Sequence, residues 1–378
     1  MTGSNRSNDR SPLDESSNSI HPPTSGHELS PSADELGTGG TPGRSAFDPL
    51  PGDISQQPFL TEEHLRTPQR RIRLPFILFL LTCVSTFLAG VTSWEPIYFW
   101  LQEPFALHSD PQSYAMSFRR VILRHWDQGL IYMACVLAIL LAHEMGHFLA
   151  TVRYRIAASL PYFIPLPIIP LGTMGAVIGM DGLRANRREL FDIGIAGPLA
   201  GLVVAIPVLW IGTLQLDWTQ PESGHLVLDM PILARLMLNI AQPPGYENPG
   251  HLWPGQMVSI GLVNPYFMAG WVGLLITGLN MLPISQLDGG HVIYTLFGKR
   301  AHWIARAFLV IAIAFMVFAE VERIWTLMLV IIVLIGTDHP PTSNDQMPLG
   351  PVRFTIGMLS LLIPLLCFPP FALDGVGM

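Results

Sequence analysis

The chain has 378 residues, of which 49% are hydrophobic and 13% are charged, and its formal net charge is −7. Soluble domains carry about 25% charged residues, so this composition excludes an ordinary water-soluble enzyme. The negative charge excludes a broadly basic nucleic-acid binder. The three cysteines have no paired spacing, which excludes a disulfide framework and a thiolate zinc site. We therefore expect a polytopic membrane protein that contacts the lipid bilayer and binds no nucleic acid.

Residues 1–69 are rich in serine, proline, glycine and acidic residues and show no apolar period. Residues 1–68 contain ten acidic residues against four arginines. Such a segment cannot bury enough apolar surface to offset the entropy lost on ordering. We predict a disordered acidic cytoplasmic tail.

The first long apolar run extends from Leu74 to about Thr92, and about 20 apolar residues cross a bilayer as a helix. The pattern predicts an all-α polytopic membrane protein with about six to seven transmembrane helices. The other candidate spans are about 128–151, 191–214, 257–282, 303–319, 324–336 and 354–372.

The apolar run 158–180 contains four prolines and three glycines. That many helix breakers exclude a regular spanning helix. Irregular backbone at membrane depth is tolerated only where it is buried in protein or lines a wet cavity. We therefore predict a re-entrant or hairpin segment beside a polar site.

The distribution of arginine and lysine predicts the orientation in the membrane. Three arginines within 70–73 place the N-terminus inside, and the acidic loop 215–256 suits the outside. Three arginines within 119–124 conflict with this assignment, because they precede the second span on the nominal outer side. Either they belong to an interfacial amphipathic segment or the first span is wrongly assigned.

A His-Glu-x-x-His motif, formed by His143, Glu144 and His147, lies near the end of the second predicted span. Residues four positions apart share one face of a helix. The two imidazoles can therefore bind one zinc ion, while Glu144 can take a proton from a water beside it. Ionisable residues within a membrane helix are costly and usually functional. The alternatives are a polar cluster satisfied between helices and a pH-sensing or transport site.

A catalytic zinc site needs three protein ligands and one open position. Asp288 follows the fourth predicted span, at the same predicted depth as the two histidines. His291 and His339 are rival third ligands, and His291 could instead orient a ligand through a hydrogen bond. Asp288 could also be no more than the N-cap of the next helix.

Three motifs follow one another along the chain, and together they are specific. They are His143-Glu144-Met145-Gly146-His147, then Gly197-Pro198-Leu199-Ala200-Gly201, then Asn280-x-x-Pro283 followed by Leu287-Asp288-Gly289-Gly290. In this order they resemble the site-2 protease family of intramembrane zinc metalloproteases, peptidase family M50, over about residues 127–298.

The resemblance implies a set of site residues. It implies Zn²⁺ held by His143, His147 and Asp288, with Glu144 as the catalytic base. It also implies that Asn280 lies near the substrate, although many members of the family carry a proline directly after this asparagine and the present chain does not.

In the family, the region that corresponds to 158–180 forms a strand-like element beside the active site. Backbone groups around Gly172 and Gly175 could therefore bind an extended substrate as an added strand. The alternative is a loop that only packs the core. The expected domains are the tail 1–69, a first helix and interfacial loop over 70–126, a metalloprotease core over 127–298, and additional C-terminal helices over 299–378.

The expected function is hydrolysis of a peptide bond within or near the transmembrane segment of a membrane protein. The substrate would be a single-span protein or the membrane-bound stub left by a first cut. A metal-ion or proton transporter could use the same side chains, although no second copy of the His-Glu pattern suggests the repeats typical of transporters. A non-catalytic scaffold would be expected to lack the glutamate or a ligand. The expected location is a bacterial cytoplasmic membrane with the N-terminus inside.

Overall fold

The structure, a computed structural model, describes most of the chain from residue 72 onward. The described residues are 72–97, 111–180, 182–248, 250, 256–284, 286–318, 325, 329–330, 333, 336, 339–369, 371 and 373–375. The predicted tail 1–69 and most of the predicted span 324–336 lie outside them. Within the described residues the chain is mostly helical, as predicted.

The elements of this part of the chain are named here in chain order. The helices are α1 (Arg73–Val91), α2 (Pro111–Arg153), α3 (Arg187–Leu214), α4 (Ile232–Ala241), α5 (Pro265–Asn280), α6 (Asp288–Phe297), α7 (Ala301–Phe318), α8 (Pro351–Ser360) and α9 (Ile363–Cys367). The strands are β1 (Tyr162–Pro165), β2 (Thr173–Val177), β3 (Leu226–Asp229), β4 (Met257–Ser259) and β5 (Leu373–Gly375).

Four stretches among the described residues are helical, long and apolar enough to cross a membrane. They are α1, Arg119–Arg153 of α2, α3, and Asp288–Phe318, in which a short 3₁₀ turn joins α6 to α7. The first three coincide with predicted spans. The fourth begins earlier than the predicted span 303–319, because Asp288 already opens α6.

The helix α2 bends at His125, whose φ of −122° and ψ of 18° are not helical. The bend lies between the three arginines within 119–124 and the apolar remainder of the helix. The arginines therefore lie on a helical segment whose axis differs in direction from the axis of the apolar remainder. The interfacial interpretation of that segment stays a prediction.

The prediction of an all-α fold was wrong in detail, because two small antiparallel sheets accompany the helices. The predicted span 257–282 begins as strand β4, and its helix starts only at Pro265, where Asn264 caps the first turn by accepting a hydrogen bond from the amide of Phe267. The predicted outer loop 215–256 contains β3 and α4. The predicted span 354–372 is divided between α8, α9 and the approach to β5.

The proline- and glycine-rich segment 158–180 forms an antiparallel hairpin of β1 and β2, which confirms its hairpin form. Two membrane helices hold the turn of this hairpin. The Ser85 hydroxyl of α1 donates to the Gly172 carbonyl at 2.5 Å, and the Tyr132 hydroxyl of α2 donates to the Leu171 carbonyl at 2.9 Å. Gly172 has a φ of +73° and lies directly against the α1 backbone, so only glycine fits there.

The helix α5 is the centre of the bundle and is buried on nearly every side. Small residues bring it close to α3. A Cβ placed on Gly270 would come within 2.5 Å of the Leu209 side chain, and one placed on Gly212 would collide with the backbone of Phe267. Such close backbone approach is how membrane helices gain van der Waals contact without a hydrophobic driving force.

A buried ion pair ties the second sheet to the bundle. Strand β3 pairs with β4 on one side and β5 on the other. Within β3, the fully buried Asp229 carboxylate accepts from Arg235 of α4 at 2.9 Å and from the amide of Phe371 at 3.2 Å. The Asp229 carbonyl accepts from the indole of Trp271 in α5 at 2.8 Å. One residue therefore connects α4, α5 and the C-terminal segment.

Replacing Arg235 by methionine should strongly destabilise the protein, because it leaves the Asp229 carboxylate buried without its cation. Loss of one partner of a buried pair costs about 3–5 kcal/mol in the free energy of unfolding. Thermal melting in detergent measures the effect. The double variant Asp229→Asn/Arg235→Met should recover most of the loss, and Asp127→Asn, at an exposed aspartate, should change little. Equal melting of Arg235→Met and wild type would contradict the assignment.

Candidate metal centre

Two elements distant in sequence bring three metal-binding side chains together. The helix α2 supplies His143 and His147, and Asp288 is the first residue of α6. The Asp288 Oδ2 atom lies 3.2 Å from His143 Nε2 and 3.3 Å from His147 Nε2. The two Nε2 atoms are 3.2 Å apart. The side chains are 3%, 12% and 15% exposed, so this cluster is shielded from bulk water.

The triangle formed by these three atoms has the dimensions of one face of a metal tetrahedron. Tetrahedral ligands at zinc–nitrogen and zinc–oxygen distances of about 2.0–2.1 Å are separated from one another by about 3.3 Å. In addition, the buried Asp288 Oδ2 atom faces the two Nε2 atoms without a hydrogen bond of normal geometry to them or to any other described residue. A buried anionic oxygen left in this state is costly, and a shared cation removes the cost. The residues present therefore fit a divalent metal ion.

The third helix of the bundle orients His147. The His147 Nδ1 atom lies 2.8 Å from the carbonyl of Ile193 in α3. A carbonyl only accepts, so Nδ1 carries the proton and Nε2 presents its lone pair to the cluster. Gly197 of α3 makes room for this imidazole, because a Cβ there would collide with the ring. Gly201 likewise lies against the ring of His143.

A pocket of about 160 Å³ opens beside the three side chains. Glu144 lines it and is 4% exposed. Asn280, the last residue of α5, also lines it, and its side-chain amide nitrogen lies 3.2 Å from His143 Nε2. The structure therefore brings the predicted base and the predicted substrate-site asparagine to the same pocket as the three predicted ligands.

The hairpin contributes one wall of this pocket, through Ala176, Val177 and Ile178 at the end of β2 and just beyond it. Gly172 and Gly175, the predicted substrate-site glycines, take other positions. Gly172 forms the turn against α1, and Gly175 lies within β2 with a φ of +98°. Both glycines shape the hairpin, and the end of β2 that lies beyond them lines the pocket.

The two rival ligands lie behind the cluster and contact each other. His291 lines the metal pocket, and its Nδ1 atom is 2.6 Å from His339 Nε2. His339 Nδ1 lies 2.6 Å from the Pro340 carbonyl and must donate to it. Burial lowers the pKa of His339 and favours its neutral form. His339 Nε2 is therefore an acceptor, and His291 donates to it. Among the described residues, the group that could hold a metal contains neither of these histidines.

Sequence reasoning missed two features of the site. The Ile193 carbonyl that orients His147 is a backbone group, which no residue type signals. Gly197 and Gly201 stood in the sequence only as part of a motif, and the structure shows that imidazole rings occupy the space these glycines leave. The position of both glycines opposite the His-Glu-x-x-His helix becomes apparent only after α2 and α3 are packed together.

Comparison with known proteins places this site within a family. The model of peptidase family M50 matches residues 131–320, which is half of the chain and includes all three candidate ligands. The chain is 34% identical over 233 residues to the protein named "Probable zinc metalloprotease EGY1, chloroplastic" of Arabidopsis thaliana, covering 60% of this chain and 40% of that protein.

Two further relatives are similar to the chain over comparable lengths. The protein of the same name from Oryza sativa subsp. japonica is 31% identical over 235 residues, which cover 60% of this chain and 38% of the relative. "Probable zinc metalloprotease EGY2, chloroplastic" of Arabidopsis thaliana is 28% identical over 267 residues, which cover 67% and 44%. The chain thus matches about two fifths of the length of these curated relatives.

Replacing Gly197 by alanine should weaken metal binding, because the added methyl group displaces the His147 ring from the cluster. Loss of a group that orients a ligand reduces metal affinity by about 10–100-fold, and displacement of the ligand itself should do at least as much. Titration of the purified protein with zinc against a fluorescent chelator measures the affinity. Gly182→Ala is the control, because the added methyl group there would lie 3.9 Å from the Met180 Cε atom, which is an ordinary van der Waals contact. Unchanged affinity in Gly197→Ala would contradict the arrangement.

Proposed function

Because the chain belongs to peptidase family M50, we propose that it is a zinc metalloprotease that cleaves a peptide bond within or near the transmembrane segment of a membrane protein. The observation that carries this proposal is the triangle of His143, His147 and Asp288, with Glu144 beside it in one buried pocket. That combination supports hydrolysis better than transport, because the pocket holds the Glu144 carboxylate in addition to the three side chains that fit the metal.

Zinc is the metal proposed for this site, and His143, His147 and Asp288 would hold it. The donor set of two imidazoles and one carboxylate is one that catalytic zinc sites use, and it leaves a fourth position open. When bound, zinc supplies a Lewis acid that polarises a carbonyl and lowers the pKa of water towards about 7. The hydrogen bond from His147 to Ile193 would fix the ring in the orientation this role needs.

Glu144 is proposed as the general base. Its carboxylate lines the pocket next to the ligand His143 and is almost completely shielded from solvent. It would accept the proton of the attacking water and return that proton to the leaving amine nitrogen. Asn280 lines the same pocket, and its side-chain amide carries both a donor and an acceptor group, so it is proposed to contact the substrate backbone.

The hairpin is proposed to bind the substrate in an extended conformation. A helical peptide bond is shielded by its own hydrogen bonds and must be unwound before attack. In the described part of the chain, β2 pairs with β1 along one edge and with no strand along the other. A substrate segment added to that edge would be led towards Ala176–Ile178 and the metal pocket. Gly172 and Gly175 would serve this binding by shaping the strand.

We propose six to seven membrane crossings, with the hairpin entering the membrane from one side as a re-entrant segment. The shorter apolar helices α5 and α8–α9 are the candidates beyond the four long ones. The C-terminal segment is proposed to cross the membrane as well. Its helix α8 contacts Asp192 near the start of α3, whereas its strand β5 pairs with β3, which follows the end of α3. The domain division at residues 69, 126 and 298 is proposed on the same basis.

The proposed orientation has the start of α1 and the metal pocket towards the inside. The arginines within 70–73, 184–188 and 299–300 then fall on one side, as the excess of positive charge in inner loops requires. The relatives bear names that call them chloroplastic, and the assignment to a bacterial cytoplasmic membrane stays a prediction.

Replacing Glu144 by glutamine should abolish cleavage while leaving the metal site intact. Removal of a general base reduces the rate by about 10²–10⁴-fold, and the isosteric amide keeps the packing of the pocket. The measurement is cleavage of a reporter transmembrane segment by the reconstituted full chain, together with its zinc content. Glu222→Gln, at an exposed glutamate, is the matched control. Normal cleavage by Glu144→Gln would remove Glu144 from the mechanism.

Replacing Asp288 by alanine should remove the metal and the activity together, since the two imidazoles alone leave the ion without its anionic ligand. Bound zinc, measured by mass spectrometry of the metal, should fall to a small fraction of one ion per chain. A chelator should have the same effect on the wild type, and added zinc should restore cleavage to the wild type only. Zinc uptake into vesicles without any cleavage would instead favour a transporter.

A further inference from the structure

A second cavity lies on the other side of the His291–His339 contact. Its volume is about 480 Å³. Lys299, His302 and Arg306 line it from the end of the 3₁₀ turn and the first turns of α7. The opposite walls come from Tyr294 of α6 and from the segment that contains His339 and Asp345. The cavity is separate from the metal pocket, and the proposed protease chemistry makes no use of it.

Three cationic or polar side chains face the cavity together. Lys299 lies in the 3₁₀ turn directly before α7, and His302 and Arg306 are four residues apart on one face of α7. The same face continues with Val310, Ile313 and Val317, which are 66%, 40% and 66% exposed. One stripe of α7 therefore changes from basic to apolar along its length. This is the profile of a phospholipid, with a charged headgroup above acyl chains.

The aromatic residues of the same turn indicate that the basic end lies at the level of the headgroups. Trp303 is 64% exposed, and the Arg306 guanidinium lies 5.4 Å from the centre of its ring. Exposed tryptophan at the end of an apolar helix is typical of the membrane interface. Exposed apolar residues over the next turns of a candidate spanning helix are typical of contact with lipid.

The charge of the cavity favours an anion. Among the described residues that line the cavity, Asp345 supplies the one carboxylate, which accepts from the Thr342 hydroxyl at 2.6 Å and from the Tyr294 hydroxyl at 2.8 Å. These two hydrogen bonds hold the carboxylate at one end of the cavity. Lys299 and Arg306 bring two positive charges to this lining against the one negative charge of Asp345. A phosphate group accepts hydrogen bonds from lysine and arginine and would complete this arrangement.

We propose that this cavity binds an anionic phospholipid, whose phosphate lies between Lys299, His302 and Arg306 and whose acyl chain follows Val310, Ile313 and Val317. Basic pockets at the ends of membrane helices are known to hold such headgroups. Scattered interfacial lysines and arginines bind anionic membranes without a defined position. The cavity and the aligned apolar stripe predict a lipid held at one place on the protein.

The test uses the full chain in nanodiscs of phosphatidylcholine that contain a minor fraction of phosphatidylglycerol with a photoreactive acyl chain. After irradiation, peptide mass spectrometry locates the cross-links. We expect them on the stripe of Val310, Ile313 and Val317. The double variant Lys299→Gln/Arg306→Gln should reduce their yield by about tenfold or more. Arg300→Gln is the matched control, because Arg300 is an exposed neighbouring cation that does not line the cavity.

Four results would overturn the proposal. The first is an equal yield with photoreactive phosphatidylcholine, which would indicate ordinary lipid surrounding the protein. The second is an equal loss in Arg300→Gln, which would indicate general surface charge. The third is protection of Lys299 from an amine-reactive reagent by inorganic phosphate, without any lipid cross-link, which would indicate a soluble phosphate compound. The fourth is a yield that stays low in the charge-preserving variant Lys299→Arg/Arg306→Lys although its thermal melting and zinc content equal those of the wild type.

Discussion

The convergence of two imidazole nitrogens and one carboxylate oxygen at a single buried point is the constraint on which the site depends. Each of these groups is expensive to remove from water, and in an apolar helix bundle none of them would be retained without compensation. A shared divalent cation compensates all three at once. The packing of α2 against α3 and α6 can therefore be understood as the means of holding three donors about 3.2 Å apart.

The helix α3 makes this convergence possible because it presents glycine where the other elements need space. Gly194, Gly197 and Gly201 lie about one turn apart on this helix. They face His291, His147 and His143 respectively, and a side chain at any of them would meet the facing histidine. The backbone thus exposed also supplies the Ile193 carbonyl that fixes the tautomer of His147. The same stripe therefore provides both space and orientation.

The surrounding fold keeps the site in a fixed frame while leaving one side open. The hairpin is held at its turn by α1 and α2, at the end away from the pocket, so its other end can form the pocket wall. Opposite, the segment 339–353 is attached to α3 through Arg353, whose guanidinium donates to Asp192 at 2.8 Å. Asp192 also accepts from the Tyr154 hydroxyl just beyond α2. These contacts join α3 to α8 and to the residues that directly follow α2.

The sequence alone indicated three of the long helices and the residues that could bind a metal. Long apolar runs predicted α1, α2 and α3, because only a helix satisfies its backbone in lipid, and the interval between His143 and His147 predicted two ligands on one face. Tertiary structure decided the rest. Asp288 could be selected over His291 and His339 only from the packed structure, since all three residues lie far from α2 along the chain. Strand β3 pairs with β5 through Leu228 and Leu373, which are 145 residues apart along the chain, and no local pattern records such a pairing.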